Sequence, residues 1–312
     1  MKLAAIGGNG GPAVGLVTGD QVLDLTAAWT SLRGDGSAPP RTLLEVLDRD
    51  GVLTRMAARI GDAHDPAIRE HRRPLKEVTL HAPLPQCGKL ICVASNYVAH
   101  ITEAGQEAPQ DRRAFTPWLF LKPATTIIGP DAPIAVPRGG QAIDWEVEVA
   151  AVIGRRGKHI PIDGALNYVF GYTIVNDISE RRFKVPEGRK AREWDKFFDW
   201  LHGKWFDGFA PMGPWIVTAD DIPDPQDLTL ELRLNGRTRQ HGNTREMIYS
   251  VAELVSFASS IMTLAPGDVI ATGTPQGVGG ASGEFLKPGD VIECRVDRLG
   301  TLTNPVRADH EA

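Results

Sequence analysis

Short apolar runs broken by glycine, proline and polar turns dominate this chain, and only a few stretches carry the three-to-four-residue spacing of a helix. The segments Lys89–Ala94, Trp118–Leu121, Val147–Ile153 and Gly171–Val175 are apolar without alternation, as strands covered on both faces are. Leu228–Leu234 does alternate, as a strand with one wet face does, and Asn235-Gly236 after it is a strong hairpin turn. Gly213–Val217 and Val291–Val296 read as further strands. Near the start, Ala13–Val17 and Val22–Leu25 flank Thr18-Gly19-Asp20-Gln21 as a hairpin would. Helical spacing predicts three helices: one begun by Thr42 as N-cap, a short one between Asn96 as N-cap and Gly105 as C′ residue, and one from Ser250 to Met262 opened by a Ser250/Glu253 capping box. The pattern gives a β-rich α+β protein. A charged link, Arg69–Lys76, divides it into a small N-terminal α+β domain, residues 1–74, and a larger domain, residues 75–312.

One strand breaks the apolar rule. Asp144-Trp145-Glu146-Val147-Glu148 leads into five apolar residues and a glycine. Residues two apart on a strand share a face, so the Glu146 and Glu148 carboxylates aim together while Trp145 and Val147 aim the other way. Two adjacent negative charges near a core are costly unless a cation neutralises them or one takes a proton. A solvated strand end would also accommodate them. Asp177, at the end of the apolar run Gly171–Val175, is far enough along for a return strand to bring it beside the pair. Three carboxylates from two strands would suit a six-coordinate Mg2+-type ion with positions left for water or substrate.

His100 and Glu103 stand three apart on the short helix predicted after Asn96, hence on one face. A histidine steadied by a carboxylate can act as a general base on water, though the same spacing serves an ordinary surface ion pair. Between Glu180 and Asp207 the chain turns basic and aromatic, as a loop or helix capping a pocket for an anionic substrate would. The glycine-rich run Thr272–Gly280 could hold an oxyanion on backbone N–H groups, but it lacks the phosphate-loop pattern.

Composition narrows the partners. The 312 residues carry a formal net charge of −5, which argues against nucleic acid. No apolar run approaches the length of a membrane span. Three cysteines, Cys87, Cys92 and Cys294, form neither a zinc spacing nor a disulfide framework and fit reduced core residues of a cytoplasmic protein.

Taken in order, the motifs resemble the fumarylacetoacetate hydrolase family over roughly residues 88 to 306. They are Asn96-Tyr97-x-x-His100-x-x-Glu103, Phe120-x-Lys122-Pro123, Glu146-x-Glu148, Asn176-Asp177 with Arg181, Gly203-Lys204 ahead of Pro211-Met212-Gly213-Pro214, and Thr272-Gly273-Thr274-Pro275-x-Gly277-Val278-Gly279. The resemblance implies a mixed β-roll catalytic domain, a homodimer, and Mg2+, with Mn2+ or Ca2+ possible, on Glu146, Glu148 and Asp177. It implies hydrolysis of a C–C bond in a 1,3-dicarbonyl or acylpyruvate-type 2-oxo acid, leaving an enolate on the metal. The alternative is decarboxylation or keto–enol isomerisation of a 2-oxo diacid, as in degradation of aromatic compounds. By the same resemblance Glu103 orients His100, Lys204 stabilises negative charge, and Tyr97, Lys122, Arg181 and Thr274 touch substrate. Lys184 stands where the family often has glutamine, and the Arg181–Lys204 segment is longer than in compact members. Lys184 is therefore a candidate contact for a substrate carboxylate.

Overall fold

The computed structural model describes residues 1–8, 11–33, 37–47, 66–107, 111, 115–183 and 185–309. Two sheets organise them. The middle of a twelve-stranded sheet runs, in spatial order, Lys2–Gly8, Ala210–Thr218, Val169–Asn176, Val147–Ile153, Val269–Ala271, Leu90–Ala94 and Trp118–Lys122. Most neighbours are antiparallel, but Val269–Ala271 runs parallel to Leu90–Ala94, so the sheet is mixed. The second sheet has five strands, in the order Arg237–Asn243, Thr229–Leu234, Val291–Val296, Gly300–Ala308 and Ile134–Val136. Asn235 and Gly236 both take positive φ at the hairpin, the backbone a type I′ turn needs.

The acidic strand sits where two hydrophobic clusters meet. Val147, Val149, Ala151 and Ile153 pack into one cluster with the inner face of the five-stranded sheet and the helix Val251–Ile261. Ala150 and Val152 enter the other, with Leu3, Leu16 and Trp29 from the N-terminal segment. Each valine, leucine or isoleucine among them taken fully out of water contributes about 1.5–3 kcal/mol. Burial on both faces explains the unbroken apolar run that follows Glu148.

The segment 1–74 is tied into the large sheet: Lys2 and Leu3 pair with Val217 and Ile216. Its hairpin turns at Gly19-Asp20, and the Leu43–Leu47 helix begins with Thr42 Oγ1 accepting from Glu45 N–H at 3.2 Å. The Ser250/Glu253 capping box is present. Two details differ from the pattern reading. Leu25–Arg33 is helical, begun by Asp24, whose carboxylate accepts from Ala27 N–H at 2.9 Å. Tyr97, and not Asn96, caps the Val98–Glu103 helix, because the Asn96 amide is drawn elsewhere. It donates to Thr272 O and Tyr249 O and accepts from Tyr249 N–H, joining this turn to the glycine-rich loop. No helix among the described residues is long and apolar enough to cross a membrane. All three cysteines are free and buried.

Candidate active site

The strand Val147–Ile153 and its return Val169–Asn176 pair so that Val147 faces Asn176. Beyond that point Asp177 N–H donates to Glu146 O at 2.9 Å, and Glu146 N–H donates to Asn176 Oδ1 at 3.0 Å. These bonds hold the chain ends where their acids converge. Glu146, Glu148 and Asp177 are buried, and one carboxylate oxygen from each lies within 4.8 Å of the others.

Such a cluster must be charge-compensated. Lys204 Nζ donates to Glu146 Oε2 at 2.8 Å and to Asp177 Oδ2 at 2.6 Å. Lys122 Nζ donates to the other Asp177 oxygen at 2.5 Å and to Ile178 O at 3.0 Å. Arg181 bridges Glu146 and Asp144, reaching Asp144 Oδ2 at 2.8 Å. Burial alone would raise the Glu146 carboxyl, but Lys204 and Arg181 outweigh it and hold it far below the usual range. Glu148 is treated oppositely. Burial first, then the charges of Asp177 and Glu146, push its carboxyl well up, opposed by the Gly273 N–H at 2.8 Å and, more weakly, by the Lys204 charge. Among the described residues no cation pairs with Glu148. Convergent hard oxygen donors, one of them without a counter-charge, fit a divalent ion such as Mg2+ or Mn2+.

The acids open into a cavity of about 700 Å3 that also receives His100, Glu103 and Lys204. A neighbouring cavity of about 750 Å3 contains none of the three clustered acids. The helix Asp195–His202 walls the acid cavity with Phe197 and Trp200; Phe120 meets Trp200 edge-on at 5.1 Å, and the Lys204 ammonium lies 5.5 Å from the Phe120 ring centre. The basic, aromatic segment thus lines the pocket, as its composition suggested. An aromatic wall lowers the local dielectric and strengthens every charge interaction inside.

His100 Nδ1 lies 2.9 Å from Glu103 Oε1, and the other Glu103 oxygen accepts from Gly277 N–H at 2.7 Å. The glycine-rich loop therefore steadies the dyad. Gly277 has φ +101°, and a Cβ there would stand 2.0 Å from Arg239 O. Gly277→Ala is expected to lower the melting temperature, with a cost of at least about 2 kcal/mol, and to lower turnover by releasing Glu103; thermal melts and steady-state kinetics check both.

The other expected contacts divide. Thr274 lines the cavity, but its hydroxyl donates to Val147 O at 2.9 Å and accepts from Gln240 Nε2 at 2.8 Å. Lys122 and Tyr97 are buried behind the wall, and the Tyr97 hydroxyl has no hydrogen-bond partner among the described residues. Arg181 reaches the cavity while committed to two acids. Lys184 lies outside the described residues. Sequence reasoning missed Gln240, which is fully buried: besides Thr274 it donates to Pro275 O at 2.8 Å and accepts from Val147 N–H at 3.0 Å. It clamps the acidic strand to the glycine-rich loop. A lone glutamine in a polar strand carries no such signal. Gln240→Leu strips Val147 N–H and Pro275 O of partners at about 1–3 kcal/mol each, and denaturant unfolding is expected to show a loss of that order.

A family model described as fumarylacetoacetate (FAA) hydrolase C-terminal matches residues 89–307. The mitochondrial oxaloacetate tautomerase FAHD2A of Homo sapiens is 37% identical over 300 residues, spanning 95% of this chain and 88% of that protein. The structure of 5-carboxymethyl-2-hydroxymuconate delta-isomerase from Mycobacterium smegmatis superimposes with a TM-score of 0.71 at 34% identity, covering 99% of both chains. Maleylpyruvate hydrolase from Sphingobium sp. SYK-6, solved with manganese(II) and pyruvate, does so with a TM-score of 0.73 at 31% identity, again over 99% of each.

Proposed function

The chain belongs to the fumarylacetoacetate hydrolase family, and from that premise we propose that it is a divalent-metal-dependent enzyme moving a proton at the carbon beside the carbonyl of a 2-oxo acid, as a keto–enol tautomerase or isomerase. The observation that carries this is the His100–Glu103 pair, pinned by Gly277 N–H on the wall of the cavity that holds the three acids. The likeness to a tautomerase and an isomerase supports it.

A divalent ion held by Glu146, Glu148 and Asp177 would draw electron density from the substrate carbonyl and make the neighbouring C–H acidic. The chain's own groups account for the rest. Glu103 on Nδ1 calls for the tautomer protonated there, which leaves His100 Nε2 as the acceptor of the substrate proton. Having taken it, the imidazole can return it at the other end of the enol system. Lys204 places a fixed positive charge beside the acids, where negative charge develops on the substrate oxygen. Phe197 and Trp200 give that side of the cavity an apolar wall.

C–C hydrolysis, the first expectation from the sequence, is the second reading. The same dyad can deprotonate a water, and the likeness to maleylpyruvate hydrolase favours it. We take Mg2+ as the working ion, with Mn2+ or Ca2+ as substitutes, a homodimer as the assembly and the cytoplasm as the setting. Proton NMR of the Mg2+-loaded protein with oxaloacetate and a panel of acylpyruvates tests the reaction. Tautomerisation gives faster enol–keto exchange with carbon skeletons intact, whereas pyruvate plus a second carboxylic acid establishes hydrolysis. Neither outcome across the panel refutes the reading.

A further inference from the structure

Resting on the reading of a 2-oxo acid in this cavity, we propose that Arg182 forms a second anion subsite, which selects substrates carrying another carboxylate at the end remote from the 2-oxo group. The cations nearest the acids are already committed. Lys204 is held by Glu146 and Asp177, and Arg181 by Asp144 and Glu146. Among the described residues, Arg182 is the one lysine or arginine on the cavity wall without a carboxylate partner. Its side chain is exposed, at the rim.

An exposed arginine is ordinary in itself; two further observations give this one a direction. Arg182 N–H donates to the buried Glu180 carboxylate at 2.8 Å, which fixes where the side chain starts. Its guanidinium carbon then lies 5.5 Å from the centre of the Phe285 ring, another wall residue. Stacking on a ring holds the guanidinium plane and leaves its N–H edge open, the fork that meets a carboxylate with two parallel bonds. Among the described residues the Arg182 guanidinium is left without a carboxylate partner on the cavity wall, and a distal carboxylate on the substrate supplies one.

Binding, rather than turnover, tests this. Calorimetry on the Mg2+-loaded protein compares 2-oxo diacids of four to seven carbons with 2-oxo monoacids of the same length ending in methyl. At the length that spans the cavity, the diacid is expected to bind on the order of 10–100-fold tighter, the range of a charge-assisted hydrogen bond. The ratio should collapse towards one in Arg182→Leu, shown to be folded by its melt, and survive in part in Arg182→Lys. A wild-type protein that prefers no diacid at any length overturns the subsite, as does an undiminished preference in Arg182→Leu. Either result leaves the underlying reading standing so long as the ligands bind only when Mg2+ is present. Wild-type protein that binds neither ligand with Mg2+ refutes that reading itself.

Discussion

Glu148→Ala should abolish tight binding of divalent cations, with a loss of more than about 100-fold in affinity, beyond what second-sphere changes cost. Of the three clustered acids, Glu148 alone meets no described cation, so it presents the least compensated charge to an incoming ion. Glu146 and Asp177 are shared with Lys204, which limits what they can offer once Glu148 is gone. Titration calorimetry with Mg2+ and Mn2+ measures the loss, and retained tight binding would refute the metal assignment. The same feature sets a pH dependence. Burial and neighbouring negative charge raise the Glu148 carboxyl, so a proton competes for it more strongly than for a free carboxyl. Ion uptake must displace that proton. Affinity should therefore rise with pH and weaken as pH falls, with proton release visible as a buffer-dependent heat.

His100→Ala should lower kcat by about 10²- to 10⁴-fold, the range of a positioned general acid or base, while KM and metal affinity change little. Glu103→Gln should cost less, because the imidazole remains but its tautomer is no longer enforced. The discriminating readout is the pH profile: the wild-type limb set by the base disappears in His100→Ala. Unchanged turnover in His100→Ala would exclude the dyad from the chemistry.

Much of this was legible in the residues themselves. Unbroken apolar runs marked the buried strands, because a strand covered on both faces has no polar alternation to show. The Glu146/Glu148 spacing and the position of Asp177 marked the acid cluster, because strand periodicity makes side-chain direction predictable. The direction of Lys122 and Tyr97 was not legible. A lysine ending a strand turns into the cavity or behind it according to its neighbours, and here Asp177 Oδ1 and Ile178 O draw it behind. Arg181 stood in its motif, but nothing local revealed that Asp144 and Glu146 would claim it. Gln240 and Asn96 were invisible as clamps for the same reason: their partners lie far away in sequence. Lys184, named as a substrate contact, lies outside the described residues.

The pairing of Lys2 and Leu3 with Val217 and Ile216 bears on the order of events during folding. The hairpin formed by Lys2–Gly8 and Gly11–Thr18 needs only local contacts and can form as soon as it is made. Its outer edge must then wait while a loop on the order of two hundred residues closes, a slow search for non-local contacts. Ala5 and Ile6 of that edge pair with His81 and Leu80, but a nascent or truncated chain lacking Ala210–Thr218 would carry its Lys2–Leu3 part exposed, inviting the wrong strand to join it. Refolding yield should therefore be more sensitive to protein concentration than the stability of the finished fold would suggest.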